Sequence, residues 1–297
     1  MAFDKKVFAT RTKTAIVFAA VMLTGVLWNE WSFFLLFSIV HAGAWKEYLE
    51  LSNKINASVE IQPWWKHLHF PLLGWGMMMM STSNALELGV LKISTLGEWI
   101  VRISLIWIAI NFLIEKKFRK PVFFIFLKGF IYLSVSLTLL INLRSGWIWD
   151  SQQTESNIAT LLSKFSGHII TMLIVFGIWI NDTMAYIVGS LIGKTPLSKW
   201  SPKKTWEGTI GGIVLSVGLI NLIAALIWNS SLEMLMISLI TAISGTVGDL
   251  YESKLKRSAG VKDSGSIMPG HGGFLDRFDS ILFASPAVWV LCYLFYR

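Results

Sequence analysis

Long apolar runs separated by short polar stretches dominate this chain, and the runs are too uniformly apolar to be one stripe of a soluble helix. A bilayer core of about 30 Å takes roughly 20 residues of helix to cross. Windows of that size place nine spans, at about 14–28, 31–45, 68–82, 96–114, 121–142, 168–190, 208–228, 233–250 and 275–295. The first three are short or polar-edged. The pattern predicts an all-α polytopic membrane protein, a bundle of about nine transmembrane helices. Residues 1–166 supply N-terminal membrane helices, and residues 167–297 form a C-terminal membrane region carrying a polar loop at 253–280.

Composition agrees, with 54% hydrophobic and 15% charged residues, against about 25% charged in a soluble domain. A net charge of +8 would raise nucleic acid as a partner in a soluble protein. The positions of the charges exclude that reading. With the N-terminus inside the cell, twenty of the 26 Lys and Arg fall in inside segments, and four (Lys92, Arg144, Lys164 and Arg297) fall outside. Arg102 and Lys128 lie within spans. This asymmetry follows the positive-inside rule for a cytoplasmic N-terminus and an odd number of spans. The chain therefore reads as an integral membrane protein with a cytoplasmic N-terminus, and the bacterial cytoplasmic (inner) membrane is its expected location. "EKKFRK" at Glu115–Lys120 is explained by orientation and contact with anionic headgroups. Trp28, Trp31, Trp64, Trp65, Trp147, Trp149 and Trp228 read as interfacial belts. Met77–Met80 reads as apolar filler. Cys292 is the single cysteine, which excludes disulfides and Cys-based metal sites. The first apolar run lacks a small-residue cleavage site after it and reads as a retained anchor.

Two inside segments exceed what topology needs. The first is "NDTMAYIVGSLIGKTPLSKWSPKKTWEG", Asn181–Gly208. Asp182 interrupts an apolar span, where an acid costs about 2.5–3.5 kcal/mol and faces a polar cavity or a partner; pairing with Arg102 or Lys128 is the plain alternative. Gly189 and Gly193 enclose three residues where a phosphate loop needs four, after a membrane helix rather than a strand, so that motif is rejected. Lys203 and Lys204 beside a Ser-Pro turn suit a polyphosphate, and equally suit orientation.

The second segment is "GDLYESKLKRSAGVKDSGSIMPGHGGFLDRFDS", Gly248–Ser280. If the eighth span continues as helix into the cytoplasm, Asp249, Ser253 and Lys256 or Arg257 share one face. An acid, a hydroxyl and a cation in one stripe could hold a metal ion and the phosphate oxygens it neutralises. Gly260, Gly265, Pro269, Gly270, Gly272 and Gly273 then disfavour helix and allow close approach to a ligand. "DRFD" brings Asp276 and Asp279 to one side of the next helix's first turn. First-turn acids also favour the macrodipole, which accounts for Asp279 equally well but not for Asp249. His271 lies between glycine-bearing turns. Mg²⁺ takes one or two carboxylates plus substrate phosphates, and cations spread the charge on transferring phosphates, so the segment suits phosphoryl or nucleotidyl transfer.

Ser253, Leu255, Lys256, Arg257, Lys262, Asp263, Gly265, Pro269, His271, Gly272, Gly273, Asp276, Arg277 and Asp279 together resemble the signature of the phosphatidate cytidylyltransferases, or CDP-diacylglycerol synthases. The resemblance extends upstream through "SPKKTWEG" and "NDTMAY", with looser similarity at "TRTKTAIVF" and "NLRS". Met268 stands where the signature prefers Leu, Ile or Phe, and Ser190 where many members carry a basic residue. The family implies the reaction of CTP with phosphatidate to give CDP-diacylglycerol and pyrophosphate, in a bundle of about nine membrane helices that forms a homodimer. It implies catalytic roles for Asp249, Lys262, Asp263, His271 and Asp276. Asp249 and Asp276 are the implied ligands of Mg²⁺, with K⁺ as a second ion. Substrate contacts are implied for Asp182, Lys203, Lys204, Ser253, Lys256, Arg257, Arg277 and Asp279. Two other functions stand beside it, a CTP-dependent lipid kinase and an ion-coupled transporter. Transport gives no reason for "KDSG" and "HGG".

Overall fold

The computed structural model describes residues 5–56, 67–83, 85–114, 121–145, 167–228, 232–267 and 272–295. The calls on Trp64, Trp65, Trp147, Trp149, Lys164, the 115–120 charge run, Met268, Pro269, Gly270 and His271 lie outside the described residues. Helices account for nearly all of the described chain: α1 (Lys5–Leu27), α2 (Glu30–Ile55), α3 (His69–Met80), α4 (Ile93–Ile114), α5 (Pro121–Gly129), α6 (Ser136–Ser145), α7 (Gly167–Ile192), α8 (Trp206–Trp228), α9 (Leu232–Ser258) and α10 (Leu275–Phe295). A π-helical turn, Phe130–Val135, joins α5 to α6. A minimal antiparallel pair, β1 (Glu87–Leu88) and β2 (Leu91–Lys92), connects α3 to α4. The hydropathy pattern does not foresee it, because two-residue strands leave no alternation to read. Gly89, at φ 64°, supplies the left-handed turn.

Six stretches among the described residues are long and apolar enough to cross a membrane: 93–114, 121–145, 167–192, 206–227, 232–258 and 275–294. They coincide with the last six expected spans, and the chain is an integral membrane protein of predominantly helical architecture. The first three expected spans are helices too, but their apolar stretches are shorter or more polar. α4 leaves Trp99, Ile103, Ile106, Ile110 and Leu113 exposed and buries only Ile93, Gly97 and Ser104. In water such a face would be an aggregation liability; in a bilayer it is a lipid-facing surface.

The chain divides into two compact units, 1–141 with 255–278 and 142–254 with 279–297. In the first, Asn29 caps α2, accepting from Ser32 N (2.8 Å) while its own N–H donates to Ser32 Oγ (3.0 Å). This reciprocal pair satisfies two of the donors a helix start leaves open. Behind it, α2 buries Phe33, Phe37, Val40, Ala44 and Trp45. Phe37 meets Phe278 edge-on at 6.1 Å, and Trp45 stacks on Phe126. One buried polar knot interrupts this apolar core. The π turn supplies Ser134, whose Oγ lies 2.9 Å from His41 Nε2 and accepts from Trp45 Nε1 (3.0 Å).

In the second unit, α7 and α8 pack backbone to backbone. A side chain at Gly208 would meet Ala185 O and Gly189 Cα, one at Gly212 would meet Ala185, and one at Gly211 would meet Val188. Ala185 and Gly189, like Gly208 and Gly212, are small residues four apart, the spacing that lets membrane helices approach closely. Gly189 of "GSLIGKT" thus serves helix packing, in keeping with the rejected phosphate-loop reading.

Candidate active site

The second unit gathers the acids. α7 carries Asp182, α9 carries Asp249 and α10 carries Asp279. The loop between α7 and α8 brings them Lys204. That loop is built as a narrow ribbon: Leu197 N donates to Lys204 O (2.7 Å), Trp206 N donates to Thr195 O (2.9 Å), and Pro196 faces Thr205. Glu207, in the first turn of α8, fastens its start. Its carboxylate accepts from Lys194 N (3.1 Å), Thr195 N (3.1 Å) and Thr195 Oγ1 (2.8 Å). With the ribbon set, Lys204 Nζ lies 2.7 Å from Asp249 Oδ2, in an ion pair that is only partly exposed. The charge of Lys204 also acts on Asp182 and Asp279, and Asp249 acts on both. Burial alone would lower the Lys204 pKa. The charge and hydrogen bond of Asp249, then Asp182 and Asp279, outweigh it and hold the lysine above its ordinary value. Lys204 is therefore a fixed cation. Asp279 is buried, and its Oδ1 accepts from Ser280 N (2.6 Å). On the α9 side, a side chain at Gly248 would run into the Asp279 carbonyl, so the two helices meet there without one.

Three carboxyl groups thus surround one ammonium. Such a set favours a further cation, because like charges at short range repel. Among the described residues, no group of three or more His, Cys, Asp or Glu side chains could hold a metal ion by itself. Substrate oxygens would have to complete its shell, which is the usual arrangement for Mg²⁺.

The signature loop of the first unit is organised differently. Asp276 Oδ2 accepts from Ser264 N (2.8 Å), Gly273 N (2.8 Å) and Ser264 Oγ (2.9 Å), and Oδ1 pairs with Lys256 Nζ at 2.5 Å. Gly272 sits at φ 82°, and a side chain there would collide with the Asp276 carboxylate, so glycine is needed for both conformation and space. A second acid, Glu47 of α2, accepts from Phe274 N (2.8 Å), Leu275 N (2.9 Å) and Ser264 Oγ (2.7 Å).

The structure therefore brings Asp182, Lys204, Asp249 and Asp279 together in one unit, and Lys256 with Asp276 in the other. Neither Arg102 nor Lys128 is needed to account for Asp182, and Arg102 pairs with Glu98 at 3.1 Å. α9 runs unbroken through Asp249, Ser253, Lys256 and Arg257, as the stripe requires; Ser253 is half-buried on it. Arg257 is exposed and donates to Val261 O (3.0 Å). Lys203, Lys262, Asp263 and Arg277 are exposed. Glu47 and Glu207 are the site residues that the sequence did not single out. For Glu207 a signal existed, since it stands in "SPKKTWEG". Glu47 stood at the polar edge of an apolar run and had none.

Residues 9–295 match the model of the Cytidylyltransferase family. The chain belongs to that family. Its curated relatives include the phosphatidate cytidylyltransferase of Bacillus subtilis (strain 168), 47% identical over 121 residues, or 40% of this chain and 45% of that protein. The phosphatidate cytidylyltransferase of Helicobacter pylori (strain J99) is 45% identical over 126 residues, 42% of this chain and 47% of its own length. Phosphatidate cytidylyltransferase 4, chloroplastic, of Arabidopsis thaliana is 45% identical over 119 residues, 39% of this chain and 30% of that protein. The matches span less than half the length of each relative. The acid cluster around Lys204 is short of positive charge, with three carboxyl groups to one lysine.

Proposed function

We propose that this chain transfers the cytidylyl unit of CTP to phosphatidate, giving CDP-diacylglycerol and pyrophosphate. The observation that carries this is the set of three acids around Lys204 in a chain of the Cytidylyltransferase family. Its curated relatives named above are phosphatidate cytidylyltransferases. A phosphate oxygen of the lipid attacks the α-phosphorus of CTP. One P–O bond forms, the α–β anhydride bond breaks, and its electron pair leaves with pyrophosphate.

Lys204, kept protonated by its acid neighbours, and the exposed Lys203 are cations suited to phosphates in the second unit, and the exposed Lys262 is one in the first. Asp249 fits a divalent ion, because it shares the single positive charge of Lys204 with Asp182 and Asp279. Asp276 would have to release Lys256 to join as a ligand, since its other oxygen already accepts three hydrogen bonds. Mg²⁺, when bound, polarises the phosphoryl oxygens and offsets the charge of the leaving group; K⁺ is the second ion we assign. Asp263 and His271 complete the signature. The same reading counts α1, α2 and α3 as further spans, making nine. It puts the N-terminus and the signature loop on the cytoplasmic side of a bacterial inner membrane and makes the chain a homodimer.

Purified protein in detergent with Mg²⁺ should release pyrophosphate only when CTP and phosphatidate are both present. Release that ignores phosphatidate would contradict the proposal. Orientation has its own test. Cysteines placed at exposed Lys203 and Lys262, in a Cys292→Ala background, should resist an impermeant thiol reagent on intact cells and react after permeabilisation.

A further inference from the structure

Glu47 is an acid on a helix that the hydropathy pattern reads as a plain span. It is 6% exposed, between the buried Trp45 and Tyr48. A buried carboxylate is costly unless it is fully hydrogen-bonded. Here the compensation comes from a segment more than 200 residues later. Oε1 accepts from Phe274 N; Oε2 accepts from Leu275 N and Ser264 Oγ. Space is made on both sides, because a side chain at Gly265 or at Gly273 would run into the Glu47 carboxylate.

The partners are telling. Phe274 and Leu275 carry open N–H groups at the start of α10, where a negative charge also favours the helix dipole. Asp276 takes the N–H of Gly273. Three successive donors at this helix start, 273 to 275, are therefore filled by the protein's own carboxylates. A helix N-terminus is a ready anion site, but this one is already occupied, and phosphate binding falls to side-chain cations. Ser264, with one hydroxyl hydrogen between Glu47 Oε2 and Asp276 Oδ2, ties the loop's early part to its end.

We propose that Glu47 is a positioning residue that fixes the signature loop from α2. It holds Ser264 near the loop's start and Phe274–Leu275 at its end, so that Asp276, Lys256 and the exposed Lys262 are presented in one arrangement. Its consequence for catalysis rests on the cytidylyltransferase reading; its consequence for the loop does not.

The test measures both. Glu47→Gln keeps the size of the side chain but places an amide N–H₂ against donors. Amide hydrogen exchange at Phe274 and Leu275, whose N–H groups Glu47 holds, should quicken about tenfold, as the local opening becomes easier. The kcat per folded molecule should fall about 100-fold, the scale of a small misplacement of reacting groups, while KM for phosphatidate stays within about threefold. Glu47→Asp keeps the charge one methylene short and should fall between wild type and Glu47→Gln in both readouts. It also serves if Glu47→Gln fails to insert. An unchanged exchange rate, or a kcat within about twofold of wild type, would overturn the inference. If wild type makes no CDP-diacylglycerol while Glu47→Gln still loosens the loop, the proposed function fails and the role of Glu47 stands.

Discussion

Two carboxylate clusters in this chain solve opposite problems. Around Asp276 and Glu47, each carboxylate has its donors: two backbone N–H groups for Glu47, two with a lysine for Asp276, and the one hydroxyl hydrogen of Ser264 shared between them. Around Asp249, three acids share one lysine. The first arrangement is complete as it stands, and completeness in a buried polar network means rigidity. The second remains short of positive charge until something arrives. A scaffold looks like the former and a site poised for a cation-bearing polyphosphate looks like the latter. The signature loop contains both kinds of residue, so membership in the signature does not by itself separate those that react from those that hold.

If the contrast is right, the deepest loss comes from the acid at the centre of the unbalanced cluster. Asp249→Asn should lower turnover about a thousandfold or more, beyond the loss from one oxyanion donor, while the protein inserts and purifies normally. Normal activity in this variant would erase the distinction. Next, Lys204→Met leaves the acids without their fixed cation and should cost about 100-fold in kcat, with Lys204→Arg restoring part of it. Equal activity for methionine and arginine would show that the charge is idle.

The scaffold should fail differently. Gly273→Ala and Gly265→Ala push a methyl into the Glu47 carboxylate; overpacking of this kind costs about 1–3 kcal/mol. Both should lower the unfolding midpoint, and Gly273→Ala should combine with Glu47→Ala less than additively, since the methyl then has room. The smallest change is expected at the solvent edge. Lys262→Ala removes an exposed cation and should raise KM for CTP about tenfold with little change in kcat. A kcat collapse there would move Lys262 into the reacting centre.

The apolar code carried the C-terminal two-thirds of the fold well, because α4, the α5–α6 run and α7 to α10 are each long and apolar enough to cross a membrane. Asp182 was legible because charge is conspicuous inside an apolar helix, Asp249 because it shares a helix face with Ser253 and Lys256, and Asp279 because it stands beside Asp276 in a helix's first turn. What escaped was long-range. Glu47 lies among Lys46 and Glu50 at the end of its run, so it reads as part of a polar edge. Its meaning depends on Phe274 and Leu275, 227 and 228 residues away. Lys256, expected on a substrate phosphate, pairs with Asp276; a stripe along one helix does not reveal what the next segment brings to it. The glycines show both limits at once. Their need for close approach was readable, but at Gly265 and Gly273 the thing approached is a carboxylate from α2.

Position-specific labelling of CTP tests the central claim most directly. Purified protein with Mg²⁺ is given phosphatidate, or a polyisoprenol as a control, and CTP labelled at the α- or the γ-phosphorus. Attack at the α-phosphorus puts α label into lipid, only with phosphatidate, and sends γ label into pyrophosphate; Asp249→Asn should abolish that transfer. Recovery of γ label in the lipid alcohol, with release of CDP, would contradict the account and make the chain a lipid kinase.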